Sequence, residues 1–305
     1  MLSICIPIYR FDCSILIKEL SNQINQLPEE VEILLADDGS EKFYQDQLQP
    51  LSEFCKLTLL QKNSGRSKIR NLLSEMASHD YLLFIDGDSS IIDDNFLKKY
   101  IGLINQKTHA DVICGGSIYP DKVPNKAQLL RWRYSKSREE KGRSILKNKP
   151  YKSFTTNNFI IKREVFKQIR FDERIRDYGH EDTLLGFELK KSARPIEYVS
   201  NPVLNGDLDN NEQFLEKTKL SLINLLRIES FLEHSEDFRS LVPILALYHK
   251  LQILRIDGFF QWIFRPFKGF VRGKLMRGKG PLIFFDMYRL NILFEENDKI
   301  KSIVS

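Results

Sequence analysis

Tyr81-Leu82-Leu83-Phe84-Ile85-Asp86-Gly87-Asp88 is the stretch that decides the fold of this chain. A short apolar run closed by acidic and turn-forming residues reads as a buried strand. The two carboxylates that follow straddle a glycine, which lets the backbone turn so that both can face one cleft. Clustered carboxylates repel and partly protonate, whereas a divalent cation bridging to a diphosphate holds them as anions. An Asp-Gly-Asp after a strand can equally be a polar turn, so the motif gains meaning only from its surroundings.

Working outward, Leu2 to Ile8, Val31 to Ala36, Leu57 to Leu60 and Asp111 to Cys114 read as further buried strands. Ile69, Leu72, Leu73 and Met76 recur at i, i+3, i+4 and i+7 and predict a helix with one face on a core. This alternation predicts an α/β fold, a mostly parallel sheet flanked by helices, in which ligands bind beyond the carboxyl ends of the strands near a topological switch. Asp37-Asp38-Gly39-Ser40, Asp86-Gly87-Asp88-Ser89 and Gly115-Gly116 all fall at that edge. From about Lys122 to Lys152 the pattern gives way to a basic, polar stretch, read as a loop or broken helix over the site. Regular structure is expected again at Phe154 to Ile161, Arg163 to Ile169, Glu181 to Lys191, Ile196 to Val199 and Asn211 to Glu233.

The ordered set is more specific than any member. A strand ending Pro7-Ile8-Tyr9, a second ending Asp37-Asp38-Gly39-Ser40, Asn63-Ser64-Gly65 leading to Arg70-Asn71, and Asp86-Gly87-Asp88 resemble the pattern of family 2 glycosyltransferases of the GT-A fold, over about residues 1 to 220. The resemblance implies a Rossmann-like GT-A sheet with a helical C-terminal extension, and a bacterial, polysaccharide-type inverting enzyme. It implies that Asp38 and the backbone near Pro7, with Tyr9, recognise the nucleobase of a nucleotide-sugar donor, a UDP-sugar in the commonest case. Arg70 would lie near the diphosphate or order the site, Asp86 would face the ribose, and Asp88, with Asp86 beside it, would bind Mn²⁺ or Mg²⁺ as a Lewis acid on the departing diphosphate.

Tyr178-Gly179-His180-Glu181-Asp182 resembles the family's Gly-x-Glu-Asp segment, which faces the acceptor. An inverting transfer needs a carboxylate to take the acceptor hydroxyl's proton during in-line attack, a role assigned to Asp182 with Glu181 next. Both are also the acids a helix dipole favours in a first turn. Relatives often carry a metal-binding histidine near position 205, where this chain has Asn205, with Asp207 close by. Asn157 and Asn158 fall where the family lines its sugar pocket, or form a turn beside a strand.

Bulk properties narrow the classes. With 305 residues, 42% hydrophobic and 29% charged, the chain has enough length for a large core. A net charge of +5 argues against a whole-protein polyanion role, and so against a nucleic-acid partner. Cys5, Cys13, Cys55 and Cys114 show no metal-ligand or disulfide spacing, and the start of the sequence lacks a basic leader, so a reducing, cytoplasmic setting is expected. A sugar-nucleotide pyrophosphorylase would open with a Gly-rich loop where Pro7-Ile8-Tyr9-Arg10 stands. A glycosidase would need no nucleotide site. A catalytically weak nucleotide-binding scaffold of the same fold is the other reading.

The expected division is a catalytic domain over 1–239, with a nucleotide-sugar half at about 1–120 and an acceptor half at about 121–239, followed by an extension over 240–305. Between Lys250 and Lys279 eight Lys and Arg face one acid, Asp257, a local net of +7, interleaved with Phe259, Phe260, Trp262, Phe264 and Phe267. This combination suits an anionic membrane surface at 250–280, bringing the enzyme to a glycan or lipid-linked acceptor at the inner face of the membrane, or packing on the core or against a second copy.

Overall fold

The computed structural model describes residues 1–106, 109–123, 125–140, 149–152 and 154–304. The chain forms two compact units, one of Met1–Pro120, Arg143–Arg176 and Leu185–Asp207, the other of Asp121–Gly142, Asp177–Leu184 and Leu208–Ser305.

The first unit is built on a seven-stranded sheet. Its strands are β1 (Leu2–Ile8), β2 (Val31–Asp37), β3 (Lys56–Leu59), β4 (Tyr81–Phe84), β6 (Val112–Cys114), β8 (Phe159–Lys162) and β9 (Ile196–Tyr198), in the order β3-β2-β1-β4-β8-β6-β9. Only β8 runs against its neighbours, since it pairs antiparallel with both β4 and β6 while the other pairings are parallel. It therefore starts at the edge where the others end, which brings the preceding Asn157 and Asn158 there. Helices cover both faces, as the apolar runs require. Leu2, Ile4, Ile6 and Ile8 of β1 join α1 (Ser14–Ile24) and α4 (Phe96–Asn105) in one core. Cys5, Leu34, Ala36, Leu82 and Phe84 join Ile69 and Leu73 of α3 (Arg66–Met76) in the other, where Phe84 stacks on Phe159 with ring centroids 5.1 Å apart. Alternate residues of one strand thus serve two cores. The expected mostly parallel α/β sheet is borne out.

A three-stranded sheet lies in the same unit, with β10 (Val203–Asn205) between β5 (Ser89–Ser90) and β7 (Ser117–Ile118). Its register sets Asn205 opposite Ser89 and so delivers the 203–207 segment to the residues after β4.

The second unit is helical. Of the stretch expected as a loop or broken helix, Leu129–Tyr134 is α-helix and Ser135–Glu140 a π-helical turn; 124, 141–148 and 153 lie outside the described residues. Asn210 and Gln213 cap helix Asn211–Phe231 reciprocally, and the rings of Tyr134, Phe214 and Phe285 pack at centroid distances of 5.1 to 5.5 Å. No described helix is long and apolar enough to cross a membrane.

Asn158 holds the loop before β8. It sits at φ +62, a backbone region Asn tolerates, and its amide donates to the carbonyls of Gly116 and Asn201 at 2.7 and 2.8 Å while its oxygen accepts from the Tyr100 hydroxyl at 2.6 Å. All these groups are buried, so each needs its partner. Asn158→Ala is expected to lower unfolding free energy by about 2–4 kcal/mol, read from urea denaturation.

Candidate active site

The strand order creates the site. From β1 the chain crosses to β2 on one side and later to β4 on the other, so the carboxyl ends of β1, β2 and β4 lie side by side at a switch in direction. Ile8 is in register with Asp37, and Pro7 with Ala36, which sets Tyr9 and Arg10 beside the Asp37–Ser40 turn. There the Arg10 backbone N–H donates to Ser40 Oγ at 2.7 Å, and the Arg10 guanidinium lies 4.9 Å from the centre of the exposed Tyr9 ring. Two glycines permit this crowding. A Cβ on Gly39, at φ +74, would fall 2.3 Å from the Lys62 backbone, and one on Gly87 would fall 2.3 Å from Ile8 Cγ2.

The adjacent acids of β2 do different work. Asp37 is fully buried and accepts from the Ser40 N–H and Gln45 amide at 2.9 Å each and from the Ser40 hydroxyl, so it shapes its own turn. Asp38 reaches across to the start of α3, accepting from Ser64 N and Oγ at 2.7 and 2.6 Å and from Gly65 N at 3.0 Å. Its carboxylate thereby fixes the Asn63-Ser64-Gly65 turn from which α3 departs. On α3, Arg70 is only 3% exposed and donates to Asp86 Oδ1 at 2.6 Å, with its guanidinium 5.5 Å from the centre of the Phe171 ring. The Asn157 side-chain oxygen accepts from the Asp86 N–H at 3.1 Å and from the Ser89 hydroxyl at 3.2 Å. Asp86 is thus oriented from both its backbone and its side chain.

Asp88 is in the opposite condition. Its Oδ1 is enclosed and has no hydrogen-bond partner. Burial first, then the negative charges of Asp86 and Asp207, push its carboxyl above the ordinary range against the opposing pull of Arg66. An enclosed, unpartnered carboxylate oxygen facing further acids suits a divalent cation. No three His, Cys, Asp or Glu side chains among the described residues converge to hold a metal ion by themselves. Hard cations such as Mg²⁺ need only one or two carboxylates when phosphate oxygens and water complete the shell, and that donor set fits Asp88 with Asp86.

Glu181 and Asp182 belong to the second unit, in the first turn of helix Glu181–Lys191. Gly179 precedes them at φ +97, its carbonyl held by the Asn224 amide at 2.6 Å, and a Cβ there would meet the Ser221 Cβ at 2.5 Å. His180, at φ +67, is driven down to about 4 by burial and the nearby Arg289 charge, despite Glu181, so its ring is neutral near pH 7. Asp182 Oδ1 accepts from the Thr183 N–H at 2.6 Å, and Glu181 is buried.

Residues 3–170 match the profile described as Glycosyl transferase family 2, more than half of the chain. The chain belongs to glycosyl transferase family 2. An uncharacterized glycosyltransferase of Haemophilus influenzae is 23% identical to it over 278 residues, spanning 90% of this chain and 98% of its own. Among solved structures, S. aureus TarS 1–349 in complex with UDP-GlcNAc aligns with a TM-score of 0.50 at 19% identity, over 97% of this chain and 92% of that one. The mannosyltransferase PcManGT from Pyrobaculum calidifontis, in complex with GDP-Man and Mn²⁺, aligns at 0.57 and 10% identity, over 97% and 86%. These likenesses carry the GT-A fold, which is the fold this family 2 chain adopts.

The structure gathers Pro7, Tyr9, Asp38, Arg70, Asp86 and Asp88 at one sheet edge. It also gives Asp37 and Asn157 a role that their motifs alone did not imply. Asp37 and Asn157 lock the two acidic turns, a role whose one local signal is a polar residue beside a strand end. In this chain the enclosure of Asp88 comes at a cost to the fold. Because its raised pKa means the native state holds that proton more tightly than the unfolded chain, ionised Asp88 destabilises the fold, and acid relieves it. Asp88→Asn in EDTA is expected to gain about 1–2 kcal/mol near neutral pH, a gain that shrinks as pH falls through the raised pKa, measured by urea unfolding across pH.

Proposed function

We propose that this family 2 member transfers a sugar from a nucleoside-diphosphate donor, a UDP-sugar, to a hydroxyl of a glycan or lipid-linked acceptor with inversion at the anomeric carbon. The observation that carries the reading is the enclosed, unpartnered Asp88 oxygen beside an Asp86 that Arg70 and Asn157 hold in place. The complexes of TarS with UDP-GlcNAc and of PcManGT with GDP-Man and Mn²⁺ support a nucleotide-sugar donor and a divalent metal.

In this reading Tyr9, Asp38 and the backbone near Pro7 receive the base, and Asp86 receives the ribose. Arg70 acts as the positioning group that keeps Asp86 extended. Asp88, with Asp86, would hold Mn²⁺ or Mg²⁺, which would supply Lewis-acid charge stabilisation to the leaving diphosphate. Asn205 and Asp207 are brought to the same edge by the pairing of β10 with β5. Asp182 takes the proton of the acceptor hydroxyl, with Glu181 as its neighbour. The new bond forms between the acceptor oxygen and the anomeric carbon, and the bond from that carbon to the diphosphate oxygen breaks, with its electron pair leaving on the nucleoside diphosphate.

Thermal unfolding with UDP, GDP, dTDP and CMP, each with and without Mn²⁺, tests the donor site. One nucleotide should raise the midpoint only when metal is present, since a ligand at 100 times its dissociation constant adds about 2.7 kcal/mol. No shift with any of them would favour a scaffold over an enzyme. Once a donor is known, Asp88→Asn should weaken metal-dependent donor binding by about 100-fold, whereas Asp182→Asn should keep donor affinity and lose turnover. The reverse pattern would overturn the roles. NMR of the product linkage should show inversion.

A further inference from the structure

The helical run from Asp257 to Met276 carries a face that the fold of its own unit leaves uncovered. It consists of helix Asp257–Phe264, the 3-10 turn Arg265–Phe267 and helix Lys268–Met276, joined through residues in right-handed helical conformation. Phe264, Val271 and Leu275 point inward and are buried; Phe260 stacks on Phe264 at 5.6 Å and lies 5.7 Å from Phe294 of helix Leu282–Val304. The opposite side repeats Phe259, Trp262, Ile263, Pro266, Phe267 and Phe270, a spacing of i, i+3, i+4, i+7, i+8 and i+11 that forms one stripe. Trp262 is 74% exposed and Phe259 63%, with their rings stacked on each other in solvent. Such an aromatic stripe is far from the scattered single apolar residues ordinary for a surface.

Charge selects the occupant. Lys250, Arg255, Arg265, Arg277 and Lys279 are all exposed within or beside this run, and Lys274 lies 5.3 Å from the centre of the Phe270 ring. Asp257 is the one acid between Lys250 and Lys279, and although Lys268 and Arg272 pair with Glu295 and Glu216 of other helices, the exposed Arg255, Arg265, Arg277 and Lys279 leave the run with an excess of positive charge. A second copy of this chain would bring an equally positive rim against it. A bilayer with anionic headgroups instead offers apolar depth for the rings and negative charge for the rim. No described helix can cross a membrane, so the contact is interfacial.

We propose that the Phe259–Phe270 stripe is a docking face for an anionic phospholipid bilayer, lying in the headgroup plane with Trp262 and Phe259 inserted. This stands apart from the transferase reading, because lipid binding is read without donor, acceptor or turnover.

The full chain is sedimented with phosphatidylcholine vesicles that either lack phosphatidylglycerol or contain about one third of it, at low and high salt. Binding is expected only with phosphatidylglycerol and should fall steeply with salt. Phe259→Ser with Trp262→Ser, both exposed positions, should leave the melting curve unchanged and lower partitioning by about tenfold or more. Neutralising Arg255, Arg265, Arg277 and Lys279 to Gln should lower it by up to about fivefold per residue and flatten the salt dependence. In a Trp132→Phe background, the emission of Trp262 should shift to the blue on binding. Equal binding to neutral vesicles, or binding that survives Phe259→Ser with Trp262→Ser, overturns the proposal. So does a dimer in sedimentation velocity that this double substitution converts to monomer, since the stripe would then be a contact between copies.

Discussion

The ion pair between Arg70 and Asp86 is the interaction on which the arrangement at the sheet edge depends. A guanidinium 3% exposed inside α3 would be strongly destabilising without a partner, and its partner is the first carboxylate after β4. The pair therefore ties the helix that follows β3 to the end of β4, which β2 and β1 separate from β3 in the sheet. Asp38 makes the matching link, accepting from Ser64 and Gly65 at the same helix start. Helix α3 is in consequence anchored at its first turn by one acid and one turn later by another, and the two acids are those of the two family motifs. Both carboxylates therefore hold the start of α3 as well as standing at the sheet edge.

Asp88 shows the complementary logic. Its neighbours Asp86 and Asp207 repel it, burial removes water from it, and its Oδ1 accepts nothing. Around it the backbone is tightly held: Gly87 has no room for a Cβ, the Asp86 N–H is bound by Asn157, and Ser89 pairs with Asn205 across the small sheet. A carboxylate oxygen held rigidly with no hydrogen-bond partner is a form that preorganised sites take, because such a group does not need to reorganise to meet a ligand.

The second unit expresses a different constraint. Its helices bury one row of aromatic residues against helix Leu282–Val304 and leave another row, at the same helical spacing, in solvent between basic side chains. Helix Asp257–Phe264 is apolar nearly all round, with Phe260 and Phe264 satisfied by its own unit and Phe259 and Trp262 not. Composition alone describes such a segment as basic and aromatic; packing divides it into an inner and an outer face.

Much of this was legible in the sequence. The strands from Leu2 and Val31 and the one ending at Phe84, the helical face of Ile69, Leu72, Leu73 and Met76, and the acidic turns at the carboxyl edge follow from local apolar period and turn chemistry, which depend on near neighbours only. The same local rules said nothing of the reversed direction of β8, because a short apolar run such as Phe159-Ile160-Ile161 has no polarity until its ends are tied down. They could not show that Asn157 and Asn158 lock the site, or that Arg70 spends its charge on Asp86, since those partners lie 16 to 71 residues apart in the chain. Sequence by itself determined the elements and the candidate acids, through short-range propensity and burial. Tertiary structure alone decided which acid is neutralised and which is left bare, because that depends on distances between segments that only the packed sheet brings together.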